Sequence, residues 1–298
     1  MIMTTRRFVF MVLIAVAAGL APARAESGAK EKLPVVASFS IIGDLVRQVG
    51  GDRVSVTTIV GPEGDAHVYQ PSPADGRKIA QARLIFVNGL DFEGWLQRLI
   101  DATKTHGLIV PLGNGVKARS NEEGLDPHAW QDVANVRIYV EEIRDALAGV
   151  DATGAEIYDE NARAYIDKLK ALDEEIVKTL GAIPPERRRV VSTHDAFGYF
   201  SARYGVTFLA PQGVSTETEA SARDIARIID DVKDHKVPAV FLENVSDPRL
   251  AKRIASETGA RLGGTLYSDT LSDAKGDGAT YIDMMRHNVK ELAKALAP

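Results

Sequence analysis

The chain has 298 residues, 45% hydrophobic and 26% charged, with a formal net charge of −5 and no cysteine. That length is enough for two compact domains, and the composition is that of a soluble globular protein. The acidic balance argues against nucleic acid or anionic lipid as partners, and the missing thiol excludes both a disulfide framework and a thiolate metal site.

The N-terminus departs from the rest. Arg6 and Arg7 precede an uncharged apolar run over residues 8–20, followed by Ala23-Arg24-Ala25. A basic start, a short apolar core and a small-x-small site form a secretory signal, cleaved after Ala25. As a helix the run spans only about 20 Å, too short for a bilayer core of roughly 30 Å. The paired arginines also admit a twin-arginine export route. Removing residues 1–25 takes away Arg6, Arg7 and Arg24 and no acidic residue, leaving a net charge of −8. Without an N-terminal cysteine to carry lipid, the mature chain is expected to diffuse freely in the periplasm as a monomer.

After a polar stretch over 26–32, short apolar runs alternate with helical patterns. Residues 33–39, 54–60, 84–88 and 108–112 read as buried strands, and 41–49, 73–82 and 92–103 as helices between them. Alternation at this spacing implies a mostly parallel sheet covered by helices on both faces. Residues 117–125 read as a polar loop. Helical spacing then runs over 133–148 and again over 155–180, where Tyr158, Ala162, Tyr165, Leu169, Leu172, Ile176 and Leu180 form one apolar stripe. A helix of that length reaches about 39 Å, comparable to a small domain, and Pro184-Pro185 ends it. A second series follows, with strands at 189–192, 206–209, 239–242 and 261–265 and helices at 196–204, 220–235, 248–257 and 280–295. The expected organisation is a signal at 1–25, an N-terminal α/β lobe at 26–149, a rigid linking helix within 150–185 and a C-terminal α/β lobe at 186–298.

Of six histidines, three stand where a ligand site belongs in an open parallel sheet, in loops beyond strand ends or at a helix start. His67 follows the strand ending at Val60, His128 opens a helix after Asp126-Pro127, and His194 follows Val190-Val191-Ser192. A lone histidine in such a loop is more often a surface or capping residue; three together point to metal. Imidazole suits zinc, copper and nickel, whereas oxygen donors suit manganese and magnesium. Three histidines and one carboxylate would close a tetrahedral shell. The acidic partner is expected at a strand end of the second lobe, with Asp269 the first choice and Glu243 the second. His106, His235 and His287 read as solvent-exposed. Asp65, Asp126 and Asp195 lie beside the candidate ligands, placed to orient the rings or to act as a general base.

Five ordered motifs carry a resemblance. Gly61-Pro62 with 65–73 (Asp-Ala-His-Val-Tyr-Gln-Pro-Ser-Pro), Asn88-Gly89-Leu90-Asp91-Phe92-Glu93 with Trp95, and Asp126-Pro127-His128-Ala129-Trp130 are the first three. The others are 194–200 (His-Asp-Ala-Phe-Gly-Tyr-Phe) and Tyr267-Ser268-Asp269-Thr270-Leu271. Together they resemble the zinc/manganese solute-binding proteins of bacterial ABC importers over essentially the whole mature chain. The resemblance implies two α/β lobes joined by one long helix, a cleft metal site on His67, His128, His194 and Asp269, and an inner-membrane ABC permease as partner. Manganese binders of that family often carry glutamate at the third ligand position, so His194 favours Zn(II), with Mn(II) as the alternative. Many zinc binders of the family also carry a histidine-rich loop before the second ligand, which 117–125 lacks. A carrier surrounds its ion, whereas a catalytic zinc keeps a position open for water. No His-Glu-x-x-His pair, Gly-x-Ser-x-Gly elbow or phosphate-cradling glycine loop occurs, so no enzymatic activity is expected. An exported zinc-dependent hydrolase is the alternative from another class, and an adhesin that uses the ion for stability is a third.

Overall fold

The computed structural model describes residues 31–121 and 124–297; the signal segment and its cleavage site lie outside them. The first lobe is a parallel sheet of β1 (Leu33–Phe39), β2 (Val54–Val60), β3 (Leu84–Val87) and β4 (Leu108–Pro111) in the order β2-β1-β3-β4. The second is a parallel sheet of β7 (Arg189–Val191), β8 (Thr207–Leu209), β9 (Ala239–Glu243) and β10 (Arg261–Leu266) in the order β10-β9-β7-β8. Read from the other edge, that is the same topology. In each sheet the first strand lies between the second and the third, so the chain reverses its winding direction between the first and third strands. Their carboxyl ends open a crevice there, the usual ligand position of such sheets.

Local chemistry accounts for the helices that frame the crevices. Helix α2 (Pro73–Gln81) starts on a capping box in which Ser72 and Asp75 satisfy each other's backbone amides, with proline in the first turn. The side chain of Asp132 caps α4 (Val133–Val150), Asp247 caps α8 (Pro248–Thr258) and Thr280 caps α9 (Tyr281–Leu296). The remaining helices are α1 (Ser40–Gly50), α3 (Leu96–Thr103), α6 (Gly198–Tyr204) and α7 (Ala222–Asp234). Helix α3 starts four residues later than its periodicity predicts. Leu90 and Asp91 take positive φ, and the Glu93 carboxylate binds the amides of Asn88 and Gly89, which holds the segment as a loop. The polar loop predicted at 117–125 contains a short antiparallel pair, β5 (Arg119–Asn121) and β6 (Gly124–Asp126).

Helix α5 (Ala155–Gly181) runs for 27 residues between the two series of strands. Its buried stripe is the predicted one with Asp173 added; that carboxylate accepts from Tyr204 Oη at 2.9 Å and pairs with Arg203, fixing α6 to the long helix. One hydrophobic cluster joins the first sheet, α5, α9 and one face of the second sheet through Val190, Ala239 and Phe241. The opposite face, with Val191 and Val240, packs on Ile228, Ile229, Val232 and Ile254 of α7 and α8 as a separate cluster. The strand period of two thus divides β7 and β9 between two cores. Among the described residues no helix is long and apolar enough to cross a membrane.

Candidate metal centre

His67, His128, His194 and Asp269 meet in the cleft between the lobes. Each offers a ligand atom, and those atoms all lie within 4.8 Å of one another. The Nε2 atoms of His67 and His128 are 3.3 Å apart. Asp269 Oδ2 stands 3.4 Å from His67 Nε2 and 3.1 Å from His194 Nε2, while its Oδ1 stands 3.5 Å from His128 Nε2. Donors bound at 2.0–2.1 Å around a tetrahedral ion form edges of about 3.3–3.4 Å. The observed separations bracket that value.

Burial sharpens the point. His128, His194 and Asp269 are 0% exposed and His67 is 6% exposed. Among the described residues His194 Nε2 and both Asp269 oxygens find no hydrogen-bond partner. Away from water, that carboxylate has only the three imidazoles beside it, and a cation at the common point would satisfy it and them together. Burial pulls the His194 pKa down, but the Glu243 and Asp269 carboxylates more than reverse this and leave it well above the ordinary imidazole value. Burial likewise opposes charge on Asp269, and His194 and His128 outweigh it, holding that carboxyl well below its usual range.

The residues behind the ligands orient them. Asp126 Oδ1 lies 2.9 Å from His128 Nδ1 and accepts from the His128 amide at 3.0 Å, the orienting role anticipated from sequence. Asp65 instead accepts from the His67 backbone amide at 2.9 Å and from Thr216 Oγ1 at 2.6 Å. Asp195 accepts from Asn121 Nδ2. Glu243, the second choice for the acidic ligand, lies outside the group of four. Its Oε1 accepts from the amides of Thr193 and His194 at 2.6 and 3.0 Å, and its Oε2 makes an ion-pair contact of 2.6 Å with His194 Nδ1. Both oxygens are engaged behind the imidazole, so Glu243 turns Nε2 toward the common point rather than reaching it.

Other features of the site lay unread in the sequence. The Phe92 ring packs edge-on to His67 and Trp130 packs against His128, so aromatic faces wall the imidazoles from solvent. Asn88 Nδ2 donates to the carbonyl of Pro127, just before His128, and Tyr139 Oη donates to Asn88 Oδ1. Phe92 and Trp130 were visible as motif residues, but nothing in their spacing showed that they face the ligands. Of the remaining histidines, His106 and His235 are exposed as expected. His287 is half-buried, with Nε2 2.9 Å from the carbonyl of Thr265; helical periodicity did not show that its face meets β10. A cavity of about 320 Å³ lined by His67, Leu90, Asp91, Phe92, Ser215 and Glu217 reaches the site from solvent on the His67 side.

Residues 35–295 match the profile of the family described as zinc-uptake complex component A, periplasmic. The chain belongs to this family. Its members are periplasmic metal-binding proteins that serve ABC importers as substrate-binding components, and they are not enzymes. The manganese-binding lipoprotein MntA of Halalkalibacterium halodurans is 40% identical over 294 residues, covering 97% of each chain. The iron-binding protein YfeA of Yersinia pestis is 36% identical, covering 90% of this chain and 88% of its own. Among solved structures, the periplasmic zinc-binding protein TroA of Treponema pallidum superposes with a TM-score of 0.87 at 30% identity, over 90% of this chain and 100% of that one. The two parallel sheets, the long helix between the lobes and the cleft position of the candidate ligands are features of that architecture.

Proposed function

We propose that the chain captures Zn(II) in the periplasm on His67, His128, His194 and Asp269 and delivers it to an inner-membrane ABC permease. The observation that carries this reading is the convergence of three buried imidazole nitrogens and one buried, otherwise unpartnered carboxylate on one point. Nitrogen outnumbers oxygen in that donor set, which favours zinc over manganese. Mn(II) is the second reading, favoured by the name of the relative at 40% identity and by the placement of both Asp269 oxygens beside different imidazoles, which permits a shell of more than four donors. Titration of the purified, metal-stripped chain with Zn(II) tests the reading. Saturation at one equivalent is expected, and the chain isolated without added metal should carry zinc by elemental analysis, since raw affinity favours zinc over manganese at any such site. Zero or two equivalents would overturn the site, and manganese in the isolated chain would overturn the choice of metal.

A further inference from the structure

Asp269 lies between β10 and α9 and so belongs by sequence to the second lobe, yet most contacts of its segment run to the first. Trp130 Nε1 and Gln131 Nε2 both donate to the Ser268 carbonyl, at 2.8 and 2.7 Å. The Thr270 hydroxyl lies 2.9 Å from Ser40 Oγ, and the Leu271 amide donates to that same Ser40 oxygen at 2.9 Å. The Glu63 amide donates to the Leu271 carbonyl at 3.0 Å. Further along, Asp44 Oδ2 accepts from the Tyr281 amide at 2.9 Å, and Tyr281 Oη donates to the Trp130 carbonyl at 2.7 Å. Ser268, Asp269, Thr270 and Tyr281 are all completely buried, so these bonds have no ready replacement by water.

Apart from the approach of Asp269 Oδ2 to His194 Nε2 at 3.1 Å and the Ser272 amide to the Gly278 carbonyl, the ties to the second lobe lie at the start of the segment. Asn288 of α9 brackets the backbone of Tyr267. Just before it, β10 loses register with β9 between Leu262 and Thr265, at Gly263-Gly264. Pairing with β9 resumes at Thr265 and Leu266, so the strap over residues 267–271 leaves the sheet only after Leu266.

His194 is mounted differently. Glu243 holds its amide and its ring, and a backbone bridge joins it to Gln212; these partners are in the second lobe. Contacts that cross the cleft on its side include Thr216 Oγ1 to Asp65, Asn121 Nδ2 to Asp195 and the Arg119 amide to Tyr199 Oη. All three are partly buried or exposed, so water can replace a partner at smaller cost than at the buried bonds of the strap.

From this mounting we infer that the ligands divide three and one. His67, His128 and Asp269 form a platform fixed to the first lobe, with Ser40, Trp130 and Gln131 as positioning residues for Asp269, and His194 is the ligand that detaches. The inference rests on the four-ligand reading above. Lobe separation then breaks one metal–nitrogen contact while the ion stays on an open three-ligand face, rather than dividing the site into two halves.

Amide hydrogen exchange on the full chain, with one equivalent of Zn(II) and after its removal, tests the division. Zinc loading is verified first by titration, so failure to bind would count against the proposed function and not against the division. On metal removal the amides of Leu271, Glu63 and Tyr281 should keep their protection within about twofold, while those of 193–195 and 212–216 open about tenfold or more. A larger rise at Leu271 and Glu63 than at 193–195 and 212–216 would overturn the inference. A double-mutant cycle gives an independent reading. Ser40→Ala should lower zinc affinity by about 10- to 100-fold in the wild-type and His194→Ala backgrounds, and by less than about twofold in Asp269→Ala. Equal losses in all three backgrounds, with each variant folded by circular dichroism, would assign Ser40 a general structural role and overturn its positioning of Asp269.

Discussion

The two sheets share one strand order, and each buries a glutamate at the crevice between its first and third strands. In the first lobe Glu93 accepts from Ser38 Oγ of β1 and from the Asn88 and Gly89 amides just after β3. In the second, Glu243 at the end of β9 accepts from the Thr193 and His194 amides just after β7. Both carboxylates staple the chain across the topological reversal, where backbone amides lack strand partners. They differ in what the second oxygen meets. Glu93 Oε2 finds another amide, whereas Glu243 Oε2 finds the His194 ring. Their charge follows. Burial raises the Glu93 pKa against the hydrogen bonds that favour its anion. Burial opposes charge on Glu243 as well, but the adjacent His194 outweighs it and the pKa falls. The same staple is structural in one lobe and becomes part of the metal apparatus in the other.

This contrast gives graded expectations. The largest effect belongs to the ligand that Glu243 serves: His194→Ala should weaken zinc binding by more than about 100-fold, measured by competition with a chelator. His287→Ala, whose ring meets Thr265, Tyr267 and Asp277 but none of the four ligands, should change affinity far less. Equal affinities in these two variants would contradict the site assignment. Next, Glu243→Gln should cost about 10- to 100-fold in zinc affinity, as other groups that orient ligating histidines do. Glu93→Gln should instead destabilise the fold by about 1–3 kcal/mol through poorly satisfied buried donors, with far less change in affinity. Chemical denaturation and zinc competition on both variants separate the roles; an equal affinity loss would erase the distinction between the two carboxylates.

A smaller effect concerns pH. The Glu243 and Asp269 carboxylates raise the His194 pKa above about 6.5, the ordinary imidazole value, so an incoming metal ion competes there with a proton. Its pairing with Glu243 and Asp269 stabilises the metal-free fold fully below about pH 6.5, and that contribution is lost as pH rises through the raised value. Zinc affinity runs the other way. It should fall as pH drops, by about tenfold per unit for each proton the ion displaces. Affinity unchanged between pH 7.5 and pH 5 would argue against imidazole ligation.

Much of the architecture was legible because its signals are periodic. The strand at 33–39 follows from a short apolar run and the stripe of α5 from three- and four-residue steps, and they match β1 and α5 closely. The position of α3 was not legible, because Glu93 captures amides that a helix would otherwise use, a tertiary effect with no periodicity. The three histidines could be selected from their places after strands and before a helix. Asp269 ranks ahead of Glu243 in the sequence, and the resemblance selects it too, but strand-end position alone does not separate them, since both are acidic residues at ends of neighbouring strands. Packing separates them: the strap turns Asp269 into the cleft, while the last residue of β9 faces the back of His194. The mechanical attachment of Asp269 to the opposite lobe depends on contacts over some 140 to 230 positions of sequence, between Trp130 and Ser268 or Ser40 and Thr270, which no local pattern encodes.

The most direct test is X-ray absorption at the zinc edge on the chain loaded with one equivalent. A shell of three imidazole nitrogens and carboxylate oxygen, with bonds of about 2.0–2.1 Å, is expected. A shell of oxygen donors alone, or one with a single imidazole, would contradict the convergence of these four side chains on one ion.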